Sequence, residues 1–108
     1  MNQKAKLARL EQISRLLRDV GLSKLQQTAL ERQKSLDALA RLDGVPAGGG
    51  DGLLEANVRL RYERWADMRR RDINLQLAEQ TAKWLDAKRA ARHDFGRYQA
   101  LEKLSSKL

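Results

Sequence analysis

A glycine-rich run at residues 44–52 divides the sequence into two long segments and limits the folds that are open to it. It holds five of the seven glycines and the only proline among the 108 residues. Glycine loses more backbone entropy on ordering than any other residue, and proline removes a helix hydrogen-bond donor. The run therefore predicts a turn. The long, glycine-poor sequences on both sides have helical periodicity, so we expect one helix, one turn and one returning helix.

This pattern predicts an all-α fold, an antiparallel two-helix coiled-coil hairpin with a longer, projecting C-terminal helix. We expect a single domain over residues 1–108, made of a helix at 3–43, the turn at 44–52 and a helix at 53–107. Asp51 is the predicted N-cap of the second helix. Charged residues make up 33% of the chain and aromatic residues 5%, which is typical of long helices. Disorder is the competing interpretation of so polar a chain, and the regularly spaced leucines count against it.

Residues that carry enzyme chemistry are scarce. The chain has no cysteine and a single histidine, His93, so no thiolate or histidine cluster can hold a metal ion. Its glycine run lacks the Lys-Ser/Thr of a P-loop, and no dinucleotide fingerprint or nucleophile elbow is present. We therefore expect no enzymatic activity, no catalytic or metal-binding residues and no cofactor.

Hydropathy and charge bound the location and the partners. No apolar run approaches the roughly 18 residues of a membrane span, and the N-terminal segment lacks the continuous apolar stretch of a signal peptide. The absence of cysteine is compatible with a reducing compartment, and together with the missing apolar segments it leads us to expect a cytoplasmic protein. The formal net charge of +8 favours polyanions or acidic protein surfaces, without choosing among nucleic acid, anionic lipid and an acidic partner.

Two sets of residues in the first helix have the spacing of a coiled-coil seam, with alternating steps of three and four. The first set is Leu10, Ile13, Leu17 and Val20. The second set is Leu22, Leu25, Ala29, Arg32, Leu36 and Leu39. The two sets are out of phase, and Gly21 lies at the break between them. Gly21 is either a hinge or a register adjustment, and the second interpretation is favoured.

The second helix carries a broad apolar stripe with steps of three, four and seven. Its members are Leu54, Val58, Trp65, Met68, Leu75, Ala78, Ala82 and Leu85. Trp65 and Trp84 are interpreted as core residues, because large aromatic side chains at helical spacing are usually buried. Tyr62 precedes Trp65 by three residues and is expected to pack beside it.

An arginine-rich segment lies in the first half of the second helix. Its members are Arg59, Arg61, Arg64, Arg69, Arg70 and Arg71. The functional interpretation is a polyanion-binding surface that contacts phosphates or an acidic partner. The favoured alternative is a solvated face, because Glu63, Asp67 and Asp72 interrupt the segment and the arginines spread around the helix.

The unequal helix lengths predict a pairing register. If the chain folds back tightly at the glycine run, Leu42 lies near Leu53 and Lys4 faces Arg92. Residues 93–108 then have no partner within the hairpin, although they carry two aromatic residues and three leucines. An unpartnered apolar face on a projecting helix predicts binding to another molecule or another copy of the chain. Fraying of the chain end is the alternative.

Residues 91–104 carry a family resemblance. They comprise an alanine-rich basic run, then Gly96-Arg97, then an Ala-Leu-x-x-Leu tail over 100–104. With the two long, highly charged helices, this resembles the FliJ-like flagellar export proteins and the YscO-like stalk proteins of type III secretion. The resemblance implies an antiparallel two-helix coiled coil, similar to the central shaft of rotary ATPases, that associates with a hexameric export ATPase and with export-gate proteins. The partner-binding residues that the resemblance implies are Phe95, Arg97, Tyr98, Leu101 and Leu104.

The leading hypothesis is a non-enzymatic stalk or chaperone component of a flagellar or type III protein-export apparatus, which stimulates the export ATPase. The resemblance implies a cytoplasmic protein, with peripheral attachment to the inner membrane through a secretion complex as an option. One alternative is a basic coiled coil that binds nucleic acid through residues 59–71. Another is a scaffold that assembles with copies of itself.

Overall fold

The computed structural model describes residues 2–44 and 52–107. Helix α1 spans Gln3–Leu42 and helix α2 spans Gly52–Ser106. These bounds agree within one residue with the helices predicted from the sequence, and the described residues contain no strand. The central part of the predicted turn, including the predicted N-cap Asp51, falls in the range 45–51, outside the described residues.

Side chains cap both ends of α1. The backbone N–H of Ala5 donates to Asn2 Oδ1 at 2.8 Å, which satisfies one of the unpaired donors of the first turn. At the other end, the carbonyl oxygen of Leu42 accepts from Tyr62 Oη at 3.3 Å and from an Arg70 guanidinium nitrogen at 3.1 Å. Both donors belong to α2, so the cap also ties the end of α1 to one place on its neighbour.

Backbone contacts divide the chain into two units, each made of one piece of α1 and one piece of α2. The terminal unit combines Met1–Leu30 with Ala82–Leu108, and the loop-proximal unit is Glu31–Thr81. In the terminal unit Gly21 lies against Ala91, and Arg18 lies against Tyr98. Since a lower residue number on α1 pairs with a higher one on α2, the helices run antiparallel.

The seam of the terminal unit is built mainly from small and polar residues. We use "seam" for the least exposed positions of each helix, which recur at alternating steps of three and four, as in a coiled coil. The seam on α1 is Leu7, Glu11, Ser14, Arg18, Gly21, Leu25 and Thr28. The seam on α2 is Trp84, Ala87, Ala91, Asp94, Tyr98, Leu101 and Ser105.

The loop-proximal unit has a small apolar core next to a polar layer. Leu42, Ala66 and Ile73 are buried together, with Ala38, Leu39 and Tyr62 packed against them. Further along the same helix pair, the Ser35 hydroxyl donates to Gln80 Oε1 and the Arg32 guanidinium donates to the Thr81 hydroxyl. These contacts also run antiparallel, which confirms the predicted pairing of two helices with a longer second one.

The pairing register differs from the one predicted by folding tightly at the glycine run. The end of α1 at Leu42 contacts Tyr62 and Arg70, and not Leu53. Gly21, and not Lys4, lies beside the segment that contains Ala91. The C-terminal segment therefore packs on α1 and does not project, and the extra length of α2 precedes Tyr62. The predicted register depends on a tight fold-back at the turn. The observed register is set instead by the packing of the two helices and by the hydrogen bonds to the Leu42 carbonyl.

The residues predicted to form the seam lie largely outside it. Leu10, Ile13, Leu17 and Val20 are exposed. In the second predicted set Leu22 and Ala29 are also exposed, whereas Leu25, Arg32, Leu36 and Leu39 are half-buried. The whole predicted stripe of α2 is also exposed: Leu54, Val58, Trp65, Met68, Leu75, Ala78, Ala82 and Leu85. Spacing identifies which residues share a face, but it does not decide which of two faces meets the other helix.

The predictions for single residues have mixed outcomes. Trp65 is 54% exposed, so it is not a core residue, whereas Trp84 is half-buried in the seam. The ring of Tyr62 lies 5.8 Å from that of Trp65, which confirms their predicted packing. Helix α1 runs unbroken through Gly21, where an added Cβ would lie 3.5 Å from Ala91 Cα. The glycine therefore allows a close approach of the two helices.

Candidate partner-binding surface

An apolar groove lies between the two helices of the terminal unit. It has a volume of about 440 Å³. On one side it is lined by Leu10, Ile13, Ser14 and Leu17, and on the other by Arg97, Ala100 and Leu101. We call it the terminal groove. Its large side chains on α1 are exposed, because the seam beneath them is formed by smaller residues.

The groove follows from two overlapping patterns in α1. Leu10, Ile13 and Leu17 have coiled-coil spacing, yet Ser14 lies between them at the position that faces α2. Small or polar residues also occupy the next seam positions at steps of seven, Gly21, Thr28 and Ser35. The first pattern leaves a ridge of large apolar side chains beside the contact between the helices. The second places small side chains in that contact, so the two helices lie close together there.

Two of the five predicted partner-binding residues help to hold the terminal unit together. The guanidinium carbon of Arg18 lies 4.4 Å from the centre of the Tyr98 ring, and that of Arg15 lies 5.9 Å from it. The pKa of Arg18 is raised above its usual value, first by its hydrogen bond to Asp19 and then by the charge of Asp19 and by Tyr98. Leu101 is half-buried and lines the terminal groove.

The other three predicted residues are accessible. Arg97 lines the terminal groove, and Leu104 lies three residues after Leu101 on the same helix face and is 50% exposed. Phe95 is also exposed, but it is not among the lining residues of the groove. The structure therefore brings Arg97, Leu101 and Leu104 to one face and leaves Phe95 apart from them.

The coiled-coil spacing identifies Leu10, Ile13 and Leu17 as one face of α1 and predicts that this face meets the second helix. That prediction is wrong, because all three side chains remain open to solvent. A signal for their exposure was present in the sequence. The series Ser14, Gly21, Thr28 and Ser35 repeats every seven residues and offers a second, narrower seam on the same helix.

A second groove in the terminal unit has a more polar wall. It has a volume of about 450 Å³ and is lined by Lys24, Thr28, Lys83, Asp86, Ala87 and Ala90. Lys24 lies one helical turn beyond Val20, on the helix face that carries Leu10, Ile13 and Leu17. Basic side chains therefore adjoin the apolar ridge at this end.

The arginine-rich segment of α2 divides into paired and exposed members. Arg59 pairs with Glu55 at 3.2 Å. Arg70 contacts Asp67 at 2.8 Å and Asp43 at 3.6 Å, besides donating to the Leu42 carbonyl. The exposed members, which form no ion pair with another described residue, are Arg61, Arg64, Arg69 and Arg71. One arginine is thus committed to the cap of α1, and four remain accessible to an anionic partner.

The described residues hold no group of three or more His, Asp or Glu placed to bind a metal ion. His93 Nδ1 lies 3.7 Å from the carboxylate of Asp94, the next residue in the chain. Neither described helix contains a stretch that is both long and apolar enough to cross a membrane.

Comparison with protein-family models, with curated proteins and with solved structures finds no match for this chain.

Proposed function

We propose that this chain is a non-enzymatic stalk or chaperone component of a flagellar or type III protein-export apparatus, which acts in the cytoplasm by binding a hexameric export ATPase and raising its turnover. The proposal is supported by one resemblance seen in the sequence and by one observation of the fold. Residues 91–104 resemble the FliJ-like and YscO-like proteins, and the chain is an antiparallel pair of long helices of the kind that this resemblance implies.

The observation that carries the proposal is the position of the large apolar side chains. Residues with coiled-coil spacing, such as Leu10, Ile13 and Leu17, lie outside the contact between the helices. Exposed apolar ridges of this kind are costly in water and mark sites of protein association. A helical hairpin that exposes them is suited to packing against helices of another protein, which is the task of a stalk or an adaptor.

In this proposal the C-terminal segment does not bind the export ATPase as a free, projecting helix. Because Tyr98 and Leu101 pack toward α1, the tail presents its partner-binding residues from a paired helix. Phe95, Arg97 and Leu104 are then the accessible contacts for the export ATPase or the export gate. A paired helix costs less conformational entropy to bind than a disordered tail, since its side chains are already positioned.

The test is co-purification of the chain with the hexameric export ATPase of its own organism, followed by assay of ATP turnover. We expect the wild-type chain to bind the ATPase and to raise its turnover. Phe95→Ala together with Leu104→Ala should weaken both effects, while Gln99→Ala, an exposed polar control in the same segment, should not. Truncation after Arg92 is not a clean test, because it also removes residues that pack on α1.

Absence of any interaction between the wild-type chain and the ATPase would contradict the proposal. A second outcome would contradict only the assigned contacts: the chain binds, but the double variant and the Gln99→Ala control stimulate turnover equally well. In that case the tail residues are not the contacts, even though the hairpin is a binding partner.

A further inference from the structure

The terminal groove has the shape of a helix-binding site. Leu10, Ile13, Leu17 and Val20 follow one another at steps of three, four and three, so they form a continuous ridge along α1. At 1.5 Å per residue this ridge extends for about 15 Å, or roughly three helical turns. Arg97, Ala100 and Leu101 line the opposite side of the groove on α2, and the small Ser14 also lines it from α1. An amphipathic helix anchors in such a groove through apolar residues at the same spacing.

The charges around the terminal groove are predominantly positive. Lys6 lies one turn before Leu10 on α1, and Lys24 lies one turn beyond Val20. On α2, Arg97 lines the groove and Lys107 lies one turn beyond Leu104. No ion pair joins Lys6, Lys24, Arg97 or Lys107 to another described residue. Acidic residues are also present on this part of α2. Asp86, in the wall of the second groove, pairs with Arg89 at 3.8 Å, and the half-buried Asp94 lies three residues before Arg97.

This charge pattern distinguishes two classes of occupant. A second copy of the chain would bring the same face against itself and would place lysine and arginine side chains next to one another. Like charges at an interface oppose association. An acidic amphipathic helix, in contrast, pairs glutamate or aspartate side chains with the basic residues while its apolar stripe covers the leucines.

We propose that the terminal groove binds an acidic amphipathic helix of a protein partner. The apolar stripe of that helix packs on Leu10, Ile13 and Leu17. Its flanking carboxylates face Lys6, Lys24 and Arg97. The inference deepens the proposed function and rests on the chain being a partner-binding hairpin, but it identifies the partner surface by its chemistry and not by the export system.

The probe is a synthetic helical peptide of about three heptads, with leucine at the seam positions and glutamate on the flanks. A matched peptide carries lysine in place of each glutamate. Binding of each peptide to the full-length chain is measured by calorimetry at two salt concentrations. We expect the glutamate peptide to bind, with weaker binding at the higher salt concentration, and the lysine peptide to bind much more weakly or not at all.

Variants of the chain locate the binding site. Ile13→Gln together with Leu17→Gln should weaken binding of the glutamate peptide at least about tenfold, because truncation of buried anchors removes much of the binding energy. Arg97→Gln should weaken it less and should reduce its salt dependence. Leu75→Gln, at an exposed position in the loop-proximal unit, is the matched control and should leave binding unchanged. Circular dichroism of each variant checks that the helices persist.

Several outcomes would overturn the inference. Failure of the glutamate peptide to bind, equal binding of both peptides, or binding that neither the double variant nor Arg97→Gln alters would each do so. Sedimentation that shows a wild-type dimer, converted to a monomer by the double variant, would assign the groove to a second copy of the chain.

The same variants separate this inference from the proposed function. If the glutamate peptide binds at the groove but the wild-type chain does not bind the export ATPase, the inference about the groove is supported and the export role is contradicted. If the wild-type chain stimulates the ATPase but the glutamate peptide does not bind, the export role stands and the acidic helix is excluded.

Discussion

Small side chains in the seam set the distance between the helices of the terminal unit. Gly21, Ala87 and Ala91 are buried, with Ser14 and Thr28 buried beside them on α1. At Gly21 a Cβ atom would lie 3.3 Å from Asp94 Oδ2 and 3.5 Å from Ala91 Cα. Such an approach leaves space for a methyl group if Asp94 moves slightly, and Ala91 lies directly beside it. The glycine thus has a packing role that its helix-breaking tendency does not reveal.

The two mid-helix glycines allow a matched test at this scale. Replacing Gly21 by leucine should lower the free energy of unfolding by about 1–3 kcal/mol, because the side chain overpacks the seam. Replacing Gly96 by leucine should raise it by about 0.5–1 kcal/mol, since nothing lies within 4 Å of an added Cβ and leucine is the better helix former. Urea unfolding followed by circular dichroism measures both changes. Equal stabilisation by the two variants would show that the helices do not approach closely at Gly21.

At the scale of the helices, long-range side-chain contacts determine the register. The end of α1 is tied to α2 by the hydrogen bonds from Tyr62 and Arg70 to the Leu42 carbonyl. Further along the loop-proximal unit, Ser35 pairs with Gln80. Because small residues recur every seven positions at Ser14, Gly21, Thr28 and Ser35, a shift of α1 by one heptad would again place small side chains at most of these positions. Specific polar contacts of this kind are what distinguish one register from another.

Engineered cysteines test the register directly, since the native chain has none. With Ser35→Cys and Gln80→Cys together, we expect rapid formation of an intramolecular cross-link by oxidation or by a short thiol-reactive bridge. With Ser35→Cys and Leu60→Cys, the pair that a tight fold-back would bring together, we expect little intramolecular product. Mass spectrometry of digested samples at low protein concentration identifies the linked residues. Preferential linkage of the second pair would refute the observed register.

For the molecule as a whole, the positive net charge favours nonspecific binding of polyanions such as nucleic acid. The chain carries 22 lysines and arginines against 14 acidic residues, which accounts for its net charge of +8. Part of this charge is used internally, as at Arg70, while Arg61, Arg64, Arg69 and Arg71 are exposed. Charge alone attracts nucleic acid without selecting it, so the nucleic-acid hypothesis has to be tested by its dependence on salt.

We expect duplex DNA and RNA to bind the chain only at low salt and to dissociate by about 0.15 M salt, as for attraction without a specific site. Replacement of the four exposed arginines by glutamine should weaken this low-salt binding and flatten its salt dependence. A fluorescence anisotropy titration at several salt concentrations provides the measurement, with Arg70→Gln as a control for loss of one internal charge. Tight binding that persists above this concentration would favour a nucleic-acid-binding function over the export role.

The class of fold and the extent of the helices follow from local features of the sequence. The glycine run and the helical periodicity on either side of it are local properties, so they predicted both helices to within one residue. They also identified Leu10, Ile13 and Leu17 as one face. Local patterns of this kind depend only on which residues follow one another along a helix.

The faces that meet and the position of the candidate site depend on contacts between the two helices. Two seams compete on α1, and the chain pairs through the narrower one that contains Ser14 and Gly21. That choice leaves the leucine ridge exposed, turns Tyr98 and Leu101 toward α1 and puts the extra length of α2 before Tyr62. It depends on contacts between residues far apart in the chain, on the close approach at Gly21 and on the cap of Leu42. No periodicity within one helix encodes such contacts.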